Sequence, residues 1–217
     1  MRKLILAAAL SCNALAPISA MAEAGDILVR ARIIGVLPND DAGGIEPAIP
    51  GGSIEVEDAV VPEVDFTYFV TDNVALELIA ATSQHIIDGT GDVAGLGRVG
   101  DVWVLPPTLT VQYHFLPGER FRPYVGAGIN YTIFYNEDSA QSLTRAIGET
   151  ELDVDDTFGW AVQVGADYAV SENWFVNVDF KYIGISTEAT LRTGEMINNI
   201  DLDVNPFVVG FGFGRRF

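Results

Sequence analysis

Three sets of residues have types and spacings that could do chemistry. Ser83, His85 and Asp88 are the residue types of a hydrolytic triad. Ser-x-His-x-x-Asp is common by chance, however, and a triad is defined by geometry rather than spacing. Glu149, Glu151, Asp153, Asp155 and Asp156 could offer oxygen ligands to a hard divalent cation. They lack the order and turn glycine of an EF-hand and read as a solvated loop. The third set is the informative one. Arg30, Arg32, Glu63, Asp65, Glu77, Asp167, Asp179 and Lys181 put charges of both signs on alternate positions between apolar residues. Groups so placed can pair with one another inside a closed sheet. His114 reads as a hydrogen-bonded interior residue of the same kind. The run Gly210-x-Gly212-x-Gly214 opens no helix and so is no phosphate cradle. No catalytic group, metal or cofactor is expected.

The elements that carry these residues alternate with a period of two. From Tyr124 to Tyr135 one face is Val125, Ala127, Ile129, Tyr131, Ile133 and Tyr135; the other is Tyr124, Gly126, Gly128, Asn130, Thr132 and Phe134. An apolar face backed by a small, mixed one is a β-strand. Similar alternation begins at Ile27, Glu63, Val74, Leu109, Phe158, Trp174 and Phe207, which gives eight strands. Short connections (Thr71-Asp72-Asn73, Leu116 to Phe121, Val170 to Asn173) take turns with long ones. That rhythm belongs to an up-and-down outer-membrane barrel and not to a sandwich. Aromatics recur near strand ends, where interfacial girdles sit. The expected fold is all-β, an eight-stranded antiparallel up-and-down transmembrane β-barrel.

Residues 1–22 read as a cleaved signal peptide: Arg2 and Lys3, an apolar stretch from Leu4 to Ala16, then Ala20-Met21-Ala22. Residues 23–217 form the barrel. Cys12 leaves with the leader, so disulfides and thiolate metal sites play no part. The formal net charge of −18 argues against nucleic acid. A chain that is also 49% hydrophobic is not disordered. The expected location is the bacterial outer membrane, with the lipid bilayer and lipopolysaccharide as neighbours.

Several strings carry a family resemblance: Phe66-Thr67-Tyr68 leading to Thr71-Asp72-Asn73; Leu105-Pro106-Pro107-Thr108-Leu109; Arg122-Pro123-Tyr124-Val125-Gly126-Ala127-Gly128-Ile129-Asn130-Tyr131; Asp203-Val204-Asn205-Pro206; and the Arg216-Phe217 end. On these the chain resembles the OmpW family of small outer-membrane barrels. The resemblance implies an eight-stranded barrel with an apolar channel, associated with uptake of small hydrophobic molecules. Arg215 departs from the aromatic usual near the family's ending. The aromatic terminus Phe217 is of the kind presented to the outer-membrane assembly machinery.

An eight-stranded barrel holds side chains or one small ligand, which excludes a general water-filled pore. Phe69, Ile79, Phe134, Phe158, Ile183 and Ile185 are the candidates for lining a ligand channel. Ile79, Phe134, Ile183 and Ile185 fall toward the outer ends of their strands, which implies an apolar mouth above a charged plug. Pro106 and Pro107 open the fourth strand, and the alternation slips by one residue beside Pro206. A proline beside such a slip marks a bulge, and these three sites are candidates for a lateral opening. The reading is therefore a channel for small hydrophobic molecules, with sideways exit through the wall. The alternative is a non-transporting surface barrel, an anchor or receptor whose long outer loops bind partners.

Overall fold

The computed structural model describes residues 22–217; the leader before Ala22 lies outside the described residues. Eight long strands run antiparallel: β1 Ile27–Leu37, β2 Ala59–Phe69, β3 Val74–Ala81, β4 Thr108–His114, β5 Phe121–Ser139, β6 Thr157–Ala169, β7 Trp174–Gly184 and β8 Phe207–Arg216. Each pairs with its sequence neighbour, and β1 pairs with β8 from Leu28↔Arg216 to Leu37↔Phe207, which closes the barrel.

Through this barrel the usual burial is inverted. Ile33, Phe66, Leu78, Val111, Ile129, Trp160, Phe180 and Phe211 point outward and are exposed, while Arg30, Asp65, Glu77, Gln112, Asp167 and Asp179 are buried within. An apolar outer band facing lipid and a polar lumen explain the alternation. At two short turns Val70 and Val170 donate to the carbonyls of Val74 and Trp174 at 2.8 and 2.9 Å. In both turns a hydroxyl, of Thr71 or Ser171, accepts the backbone N–H of the strand that follows.

The long connections, expected as loops, fold instead. The upper part of β5 leaves β4 and pairs with Arg98–Leu105, which pairs with Ser83–Gly91, which pairs with Gly52–Val56. Across from them Thr150–Val154, Ser186–Thr193, Met196–Asp203 and Asp41–Ala42 make a four-stranded sheet. A short helix, α1 Gln141–Ile147, lies at this end. Ile54, Ile87 and Val102 from one sheet meet Val154, Ala189, Ile200 and Leu202 from the other in an apolar core. Neither sheet can bury its apolar face alone, so the two assemble on each other. The slip beside Pro206 is where the chain passes from the outer sheet, ending at Asp203, into β8.

Candidate functional site

The lower barrel is filled. Arg30 reaches Asp65 at 2.8 Å and Asp167 at 2.9 Å, and Arg32 reaches Glu63 and Asp65, each at 2.6 Å. Lys181 bridges Asp179 at 2.7 Å and Glu63 at 3.2 Å. Tyr124 donates to Asp179 at 2.7 Å, and Gln163 donates to Glu77 at 2.6 Å. Every one of these charges is buried, and only mutual pairing makes that tolerable. Glycines give the long side chains their room: Gly210 faces the Arg32 stem, and Gly214 faces Arg30 and the Phe175 ring. Beneath the charges Leu28, Phe69, Ala75, Ala169 and Phe175 pack together, and His114 stacks between Phe69 and Tyr124 at 4.7 and 4.9 Å. This is a plug.

Above it the inward side chains turn apolar and enclose a cavity of about 190 Å³. Its floor is Glu63, Lys181, Thr108 and Thr132; its lower walls include Ile34, Val61, Ile79, Phe134, Ile183, Ile185 and Val208. Ile54, Ile87, Val102, Ala189 and Ile200 carry the walls outward between the two sheets, with Leu143 and Ile147 of α1 and Met196 at the far end.

Four of the six expected lining residues, Ile79, Phe134, Ile183 and Ile185, stand around this cavity. Phe69 does not: it is inward but below the plug, because β2 runs toward the short-turn end and Phe69 closes it. Phe158 is corrected outright. It is 76% exposed on the outer face and stacks on Tyr131 at 4.6 Å, sharing the phase of Trp160 and Val162. The residues that went unnamed come from the outer strands. The alternation Ser83, His85, Ile87 was their available signal.

The prolines differ from one another. The β3–β4 ladder ends at Ile79↔Thr108, and pairing resumes only at Ser83↔Val104. Pro106 and Pro107 lie in that interval and have no N–H to give. Their carbonyls turn toward β5, where Pro107 accepts from Tyr131 at 3.1 Å and Pro106 accepts from Asn130 at 3.2 Å. Pro106 also lines the cavity. At Pro206 the wall stays laced. Ile183 donates to the Pro206 carbonyl at 3.2 Å, Ile185 to the Asn205 side chain at 3.1 Å, and Val204 to the Ile185 carbonyl at 2.9 Å.

His85 Nδ1 lies 2.9 Å from the Glu57 carbonyl, which can only accept, so Nε2 is left to accept from the Ser83 hydroxyl at 2.9 Å. Burial holds the His85 pKa below its ordinary value, and the Glu57 carbonyl and Asp58 oppose that shift. Asp88 stands apart, cross-strand from Glu55 and Arg98, so no triad forms. In the acidic segment Asp156 accepts from the Tyr131 hydroxyl at 3.1 Å and from the Phe134 N–H at 2.9 Å. Among the described residues no group of three or more His, Cys, Asp or Glu is placed to hold a metal. Near the chain end the Arg215 guanidinium lies over Trp174 and Phe217 at 5.7 and 4.9 Å.

Comparison with known proteins agrees with this architecture. The chain is 38% identical to outer membrane protein W of Vibrio cholerae over 215 residues, covering 97% of this chain and 96% of the relative. It is 29% identical over 170 residues to the dibenzothiophene metabolism operon protein PahQ of Pseudomonas aeruginosa, covering 78% of this chain and 77% of PahQ. The crystal structure of the outer membrane protein OprG from Pseudomonas aeruginosa superposes with a TM-score of 0.84 at 30% identity, covering 90% of this chain and 97% of OprG. The sequence profile of the OmpW family matches residues 23–217. This chain belongs to the OmpW family and is a non-enzymatic β-barrel of the bacterial outer membrane.

Proposed function

We propose that this barrel takes small hydrophobic molecules in at its outer end and releases them sideways through the wall into the outer leaflet. The observation that carries the reading is the apolar cavity, which runs from the outer sheets down to Glu63 and Lys181 and stops at a shut plug. A ligand that cannot go down must go back or go sideways. The interrupted ladder beside Pro106 and Pro107 opens the sideways path, because neither residue has an N–H to give and both carbonyls are turned to β5, so these two residues make no backbone bond to β3. The relative PahQ, named for dibenzothiophene metabolism, supports an apolar cargo.

The test is uptake into liposomes of a small apolar tracer beside a polar one of equal size. Selective uptake of the apolar tracer, lost in Ile79→Trp and Phe134→Trp, supports the channel. Uptake of neither would leave the barrel as a surface anchor. The lateral step is tested in Thr82→Cys/Leu105→Cys, which face each other on the outer side of the interval, by bridging the two thiols with a short cross-linker. Bridging should slow uptake, and an unchanged rate would sink the sideways route.

A further inference from the structure

Glu63 and Lys181 are the charged side chains that line the cavity, and both lie at its floor. Lys181 is paired on both sides by carboxylates. Its ammonium donates to Glu63 Oε1 and Oε2 at 3.2 and 3.3 Å and is ion-paired with Asp179 Oδ1 at 2.7 Å. Arg32, next to it, is held by Glu63, Asp65 and Asn177. Glu63 is less fully used. Its Oε1 accepts from Arg32 at 2.6 Å as well as from Lys181, whereas its Oε2 has the 3.3 Å contact with Lys181. A carboxylate oxygen accepts two hydrogen bonds, so Oε2 keeps one place. The neighbouring hydroxyls already donate elsewhere, Thr108 to the Pro106 carbonyl and Thr132 to Asn130. The chamber is apolar, with an acceptor at its floor and, among the described residues, no unpaired cation beside it.

We propose that the cavity selects apolar molecules bearing a hydrogen-bond donor, a hydroxyl or amino group, and turns away those bearing a carboxylate. The proposal rests on the cavity being the ligand site of the uptake reading. A hydroxyl at the floor donates to Glu63 Oε2 and leaves its hydrocarbon against Ile79, Phe134 and Ile183. A carboxylate there meets Glu63 with no unpaired cation, and an uncompensated buried charge is costly. A cavity of about 150 Å³ is known to accept benzene, so single-ring probes suit this one.

Isoleucine methyl spectra of the mature barrel in lipid nanodiscs read occupancy at Ile79 and Ile183. Toluene, benzyl alcohol, benzylamine and benzoate are titrated at matched free concentrations. Benzyl alcohol and benzylamine should saturate the shifts at or below the concentration toluene needs, and benzoate should need at least about tenfold more than benzyl alcohol. Glu63→Gln should lower the benzoate requirement. Because that variant disturbs the plug, Val61→Lys, which adds a cation to the wall and leaves the plug intact, should do the same. Equal half-saturation by benzoate and benzyl alcohol, or no gain for benzoate in either variant, overturns the selectivity and leaves uptake standing. Methyl groups that ignore toluene as well overturn both.

Discussion

Around the charged plug the barrel is polar inside and apolar outside; in the outer sheets the sense reverses. In the lower barrel Ile129 and Phe211 point out and Asp65 and Glu77 point in. In the outer sheets Ile87, Ile200 and Leu202 point in, while Gln84, Asn199 and Asp201 point out. The 19-residue strand β5 passes through both regimes without interruption, carrying Asn130 and Thr132 inward low down and Phe134 inward higher up. Alternation therefore says which residues share a face, and the medium outside decides which face is apolar. Lipid below demands an apolar exterior, so the interior takes the charges and must saturate them. Water above demands a polar exterior, so the interior takes the hydrocarbon and can stay open.

The two regions should respond to substitution in different ways. Arg30→Met removes the shared partner of Asp65 and Asp167 and should destabilise the barrel by about 3–5 kcal/mol in urea unfolding from lipid vesicles. Ile79→Trp, at the edge of the cavity, should block uptake of the apolar tracer at a stability cost of about 1–3 kcal/mol. If Ile79→Trp proved the more destabilising of the two, the division into a tight plug and an open chamber would fail. Phe158→Ala should cost about 0.5–1.5 kcal/mol through its stacking on Tyr131 and leave uptake unchanged, since the ring faces lipid. A loss of uptake there would return Phe158 to the lining.

The smallest effect is local and depends on pH. The neutral form of His85 joins Ser83 to the Glu57 carbonyl, and burial lowers its pKa from the ordinary 6.5. The unfolded segment therefore takes up the proton first as pH falls. The contribution is complete above about pH 6.5 and declines as pH drops toward the folded value. Amide exchange across Ser83–Ile87, corrected for intrinsic rate, should be faster at about pH 5 than at about pH 7, with the paired lower residues of β1 unaffected. Uniform behaviour in both segments would break the contrast.

The lower region was almost fully legible from residue order. Arg30, Arg32, Glu63, Asp65, Glu77, Asp167, Asp179 and Lys181 carry an unmistakable inward phase, and their partners follow once the sheet closes. The Gly210-x-Gly212-x-Gly214 run reads as strand from residue order, but its purpose lies in the packing: the missing side chains leave space for Arg32, Arg30 and Phe175. The upper region was half legible. Ile79, Phe134, Ile183 and Ile185 follow from phase and chain direction. The outer sheets do not, because Gly52–Val56 is short, Ser83–Gly91 is interrupted by glycine and charge, and their apolar faces are completed only by the opposite sheet. Phe158 differs more simply: it shares the phase of Trp160, and that phase places it outside.

The seam between β1 and β8 has a consequence before it forms. Until Leu28 meets Arg216 and Leu37 meets Phe207, the sheet has two free edges, and one of them is the segment Phe207 to Gly214, which contains neither charge nor proline. An uncharged, aromatic-rich edge is a template for pairing with a second chain. Closure thus does more than complete a wall: it withdraws an uncharged, aromatic edge from other copies, and any delay in joining the first strand to the last leaves that edge unguarded.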